Sequence, residues 1–89
     1  MVDNALQQVL SAARRGGLLE LFPNLAPEPD DVRAVEGLAD GEAASVRFGD
    51  TDGPLGTLYV DAYDSGNPDD GGLTVGLRGW RLDGDVASV

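Results

Sequence analysis

Cysteine, histidine, lysine and isoleucine are absent from this sequence of 89 residues, and Arg supplies all six of its basic side chains. Each absence removes a class of chemistry. Without Cys or His there is no thiolate nucleophile, no imidazole base, no Ser/His/Asp triad, no zinc site of nitrogen and sulfur ligands and no disulfide framework. Without Lys there is no Schiff base and no P-loop lysine. No apolar run reaches the roughly 18 residues that cross a bilayer, and Met1 to Leu10 lack the basic start and apolar stretch of a secretory leader. These gaps predict a soluble, cytoplasmic, non-enzymatic protein with no cofactor and no membrane partner.

Acid is what the chain has in excess: 12 Asp and 4 Glu against the six Arg, a net charge of -10. Such a surface repels nucleic acid and acidic membranes at range, so no nucleic-acid partner is expected. Three accounts of the acidity stand side by side. The first is a surface adapted to a salt-rich cytoplasm, since Asp over Glu, Arg for every Lys, and Ala, Val and Leu without Ile suit a GC-rich halophilic source. The second is an acidic face for a basic protein, and the third is a cation site. An apolar fraction of 42% is ordinary for a folded chain. The length predicts a single domain over 1–89, burying roughly 60 to 65% of its unfolded surface.

The charge is unevenly distributed. Residues 1–22 hold Asp3 and Glu20 against Arg14 and Arg15, and residues 73–89 hold Asp83 and Asp85 against Arg78 and Arg81, so both ends are neutral. Residues 23–72 hold nine Asp and three Glu against Arg33 and Arg47, which is the whole of the -10.

Leu6, Val9, Leu10 and Ala13 recur at helical spacing and predict a first helix, opened by Asp3 or Asn4, with Asn4 and Gln7 spaced as a capping box. Arg14 and Arg15 complement its dipole and Gly16 and Gly17 stop it. Leu18 to Phe22 is an apolar run, ended by Pro23, too short for more than a helical turn or a buried connection. Pro23, Pro27 and Pro29 make a stiff extended stretch, after which Asp30 to Glu36 form a short second helix with Val32 and Val35 inward and Gly37 and Gly41 beyond it.

From Glu42 the apolar period becomes two. Ala44, Val46 and Phe48, then Leu58, Val60 and Ala62, then Leu73, Val75 and Leu77 alternate with polar neighbours, separated by the loops Gly49 to Leu55 and Asp64 to Gly72. A pairing of Tyr63 with Gly72 sets Leu58 against Leu77, Val60 against Val75 and Ala62 against Leu73, and on the other side Tyr59 against Gly76. A bulge at Gly79 is expected, because it turns Trp80, Leu82, Ala87 and Val89 inward. Asp83-Gly84 is a strong hairpin signal that pairs Leu82 with Asp85. The predicted architecture is α+β: an N-terminal helix and a short second helix packed on one face of a three- to four-stranded antiparallel meander.

Four groups of residues invite chemistry. Trp80 within Arg78-Gly79-Trp80-Arg81, together with Tyr59 and Tyr63, has the composition of a protein interface, though Trp80 in the core is the plainer account. Asp50, Asp52 and Gly53 resemble half a calcium loop that lacks its Glu. The meander brings them to the same end as Asp83 and Asp85, where a hard cation competes with ordinary solvated turns. Asp64, Asn67, Asp69 and Asp70 match no metal spacing and are common turn formers, and an acid-base carboxylate pair has no evident cleft. Arg14 to Gly17 do not form a phosphate site, because the glycines follow the helix and meet its negative end.

The function these residues point to is a small binding or regulatory module that acts through protein-protein contact, self-association included. The neutral ends provide its surfaces: Gln7, Gln8, Ser11 and Arg14 on the first helix, and Tyr59 and Arg78 on the sheet. One alternative is an acidic inhibitor, antitoxin-like, that captures a basic protein by imitating nucleic acid. Another is a cation-binding or catalytic carboxylate domain.

Overall fold

A computed structural model describes residues 2, 4–64, 66 and 73–83. The elements run α1 (Ala5–Arg15), α2 (Leu18–Leu21), β1 (Ala26–Pro27), α3 (Pro29–Glu36), β2 (Ala43–Asp50), β3 (Gly53–Asp64) and β4 (Leu73–Leu82). The strands form one antiparallel sheet in the order β1-β2-β3-β4, and the helices cover one of its faces. This is the α+β meander that the change of period predicts.

Helix α1 spans the predicted stretch but is rotated from the predicted stripe. Ala5, Val9, Ala12 and Ala13 are buried, Leu10 is half-buried, and Leu6, expected inside, is 46% exposed. Small side chains explain the rotation, because alanines let the helix backbone approach the sheet more closely than Leu6 would. At its end Gly16 abuts Leu77, where a methyl group would collide with Cδ2. The expected Asn4 and Gln7 capping box does not form. Asn4 is left-handed, with φ 52°, and makes no side-chain cap hydrogen bond; its carbonyl accepts the Gln8 N–H at 2.9 Å. A capping side chain needs extended backbone at this position to reach the following amides. Gly17, with φ 81°, turns the chain into the single turn of α2.

The Pro-rich stretch contributes more than a connection. Ala26 and Pro27 pair with Gly49 and Phe48 as a two-residue edge strand, and the Glu28 N–H donates to the Arg47 carbonyl at 2.8 Å. Proline is tolerated here because its missing N–H lies on an edge. The chain then enters α3 with Pro29 in the first turn, Asp30 and Asp31 beside it, and Val32 and Val35 buried. The further strand expected beyond Gly84, with Asp85, Ala87 and Val89, lies outside the described residues.

Strand β2 pairs with β3 more tightly than the expected Gly49 to Leu55 loop implies. Asp50 opposes Gly53, only Thr51 and Asp52 remain as the turn, and Leu55 is the extra residue between the pairs Gly49–Pro54 and Phe48–Gly56. Gly56 is needed there, since a methyl group would fall on the Arg81 carbonyl oxygen.

Between β3 and β4 the register differs from the predicted one by two residues. Tyr63 pairs with Thr74, Ala62 with Val75 and Val60 with Leu77. An even shift leaves every side chain on its predicted face, so alternation alone does not distinguish the two registers. The expected bulge is present but one residue earlier: Tyr59 opposes Gly79 while Val60 opposes Leu77, leaving Arg78 as the extra residue. Beyond it Trp80 opposes Leu58 on the core side, as predicted, yet remains 38% exposed at the margin.

The core joins Val9, Leu18 and Val35 of the helices to Val46, Leu58, Val60 and Val75 of the sheet, all fully buried. Phe22 packs on Phe48 with ring centroids 6.1 Å apart. Among the described residues no polar or charged side chain is buried.

Candidate binding surface

Helix α1 directs half of its polar face at the outer edge of β4. The Gln8 side chain accepts the Val75 N–H at 3.4 Å and donates to the Leu73 carbonyl at 3.5 Å, while Arg15 Nη2 donates to the Val75 carbonyl at 2.9 Å. These two side chains stand where a further strand would pair. Gln7, Ser11 and Arg14 stay exposed, and Gln7 and Ser11 line a cleft of about 370 Å³ with Gln8, Arg15 and Thr74; Arg14 lies outside it.

The open face of the sheet assembles more. Register places Ser45, Tyr59 and Gly79 in one row, Arg47, Thr57 and Arg81 in the next, and Ala43, Asp61 and Gly76 on the other side of Tyr59. Tyr59 and Arg78 line one cleft of about 300 Å³ with Ala43, Ala44, Ser45 and Val60, so the bulge brings Arg78 to Tyr59. Tyr59 and Tyr63 are 38% and 41% exposed. Gly76 lies under Tyr63, where a methyl group would stand 3.1 Å from Cε1, whereas one on Gly79 would meet nothing within 4 Å. Bare backbone is therefore open beside Tyr59.

The charges on this face differ in their engagement. Arg47 is tied to α3, its Nε and Nη2 donating to the two oxygens of Asp31 at 2.9 and 3.2 Å. The Arg47 side chain, and next its backbone N–H at 2.9 Å, hold the Asp31 carboxyl below its usual value, and the same bond raises Arg47. Among the described residues Arg78 and Arg81 make no ion pair. Asp61 shares their face and leans over Gly76.

The carboxylates proposed for a cation come together only in part. Asp50 and Asp83 line a common cavity of about 520 Å³ with Glu28 and Arg47, and Asp52 does not border it. Asp50 accepts the Asp52 N–H at 2.8 Å, and Asp64 accepts that of Gly66 at 2.8 Å, both as turn formers. Among the described residues no three acids gather as a metal site. Asp85, Asn67, Asp69 and Asp70 lie outside those residues.

One surface escapes sequence reasoning. Leu6, Leu10, Pro27, Pro29 and Val32 line an apolar groove of about 450 Å³ between α1 and α3. Its only sequence signal is an apolar stripe on α1 wider than a strict seam. The comparisons give these surfaces no precedent: no protein-family model, no curated protein and no solved structure matches the chain.

Proposed function

We propose that this protein is a small non-enzymatic binding module that contacts another protein through the open face of its sheet, centred on Tyr59 and Arg78. One observation carries the reading: the bulge sets a guanidinium that has no ion pair among the described residues beside an exposed tyrosine ring and bare glycine backbone. Tyr and Arg dominate the energetics of protein interfaces, because each presents a large, stiff surface with a polar tip. On the first helix, Gln8 and Arg15 are occupied within the fold, which leaves that surface the smaller share.

Site-specific photocrosslinking tests the reading. A crosslinking amino acid at Thr57, on the open face, is expected to form a discrete adduct in the source cell that Tyr59→Ser removes. The same amino acid at Gln7 is expected to form none. Adducts from Gln7 alone would move the contact to α1 and sink the proposal.

A second reading, capture of a basic protein, is favoured by the exposed carboxylates Glu28, Asp30, Glu36, Asp40 and Glu42, which follow one another through α3 and its exit. Recovery of a basic partner whose binding is indifferent to salt would count against it.

A further inference from the structure

Arg78 and Arg81 leave β4 on the same face. The bulge puts Arg78 in the row of Gly79, opposite Tyr59, and Arg81 stands three residues beyond Arg78, in the row of Thr57. Rows two residues apart along the regular strand β3, here those of Tyr59 and Thr57, are separated by about 7 Å. An extended peptide presents alternate side chains to one side at the same repeat, so carboxylates on alternate residues match both guanidiniums at once. Guanidinium and carboxylate pair through parallel hydrogen bonds, and Arg is well suited to that geometry. Beside them the Tyr59 ring is exposed and the Gly79 backbone is uncovered, which leaves room for a chain to lie flat.

Resting on the reading of this face as a protein contact, we infer that its occupant is an extended acidic segment of a partner protein, with alternate carboxylates on Arg78 and Arg81 and the intervening backbone over Gly79. The chain's net charge of -10 does not prevent this. Charges more than about 10 Å away are largely screened at physiological salt, whereas the two arginines meet the ligand directly. Asp61, one row from Tyr59, bounds the site on the side away from Arg81 and sets the direction in which the segment's charge runs out.

The test is fluorescence anisotropy with labelled peptides that alternate Glu, Gln or Lys with Thr, at physiological salt. The Glu peptide is expected to bind about tenfold tighter than the Gln peptide, and Arg78→Gln or Arg81→Gln each to cost about tenfold, the size of a charge-assisted hydrogen bond. Both arginines are exposed, so circular dichroism should show the variants folded. Equal binding of Glu and Gln peptides, with loss in Tyr59→Ser, would overturn the acidic occupant and leave the contact face standing. Tighter binding of the Lys peptide would overturn it in favour of a basic partner. Failure of all three peptides, or a dimer in light scattering that Arg78→Gln dissociates, would also overturn it, the latter in favour of a second copy of the chain.

Discussion

Asp31 performs two tasks with one carboxylate: it neutralises Arg47 and it closes a backbone N–H on the outer edge of β2. Its pKa is depressed in the folded state, so the stability it contributes is present above the unfolded carboxyl value and lost as pH falls through the folded one. Asp31→Ala should lower the unfolding free energy by about 1 kcal/mol, since the pair is largely solvent-screened. Urea midpoints taken from neutral pH down through the carboxylate range should fall less steeply in Asp31→Asn than in the parent. Glycines provide a sharper contrast. Gly56→Ala drives a methyl group into the Arg81 carbonyl and should cost about 3 kcal/mol, whereas Gly79→Ala meets open space and should stay within about 0.5 kcal/mol. Chemical denaturation of the two variants checks both.

At the scale of elements, the edge of β4 depends on α1. The Val75 N–H reaches outward and Gln8 alone covers it among the described residues, so Gln8→Ala should speed exchange of that amide about fivefold. Hydrogen exchange resolved by residue is the measurement, and the Val60 amide, inside the sheet, is the internal control. This dependence was hidden in the sequence, where Gln8 read as part of an exposed surface and Arg15 as a complement to the helix dipole, because a side chain bonding to a strand edge leaves no periodic signature. Helices α1 and α3 were legible from apolar spacing and from Pro29 with Asp30 and Asp31. The faces of β2 to β4 were legible from alternation. The register was not, because shifting Val60 from Val75 to Leu77 exchanges one apolar partner for another. The observed register also brings Gly56 onto the Arg81 carbonyl and Gly76 under Tyr63, close approaches that leave no trace in the alternation. The candidate surface was half legible: Tyr59 and Arg78 stood out by type, while their meeting depended on a bulge whose position was off by one residue.

For the whole molecule, the salt-adapted account of the acidity makes its own prediction. If self-repulsion among the carboxylates limits stability, screening should relieve it, and the melting temperature should rise between dilute and molar potassium chloride. Equal melting temperatures would contradict that account. Millimolar calcium or magnesium should leave the melting temperature unchanged if Asp50 and Asp83 are no more than cavity walls, and a rise would reinstate the cation reading.

The meander also turns a linear asymmetry into a spatial one. Sheet order puts β4 at one edge with α1 latched to it through Arg15, and puts β1, with α3 following it, at the other. Helix α1 and strand β4 are thereby joined on one flank, bearing Arg14, Arg15, Arg78 and Arg81, while Glu28, Asp30 and Glu36 lie toward the opposite flank. Among the described residues the basic side chains of α1 and β4 are therefore set apart from the acids of α3. A uniform anion is repelled by an acidic surface whichever way it faces, whereas charge separated in this way favours the approach that puts the arginines foremost.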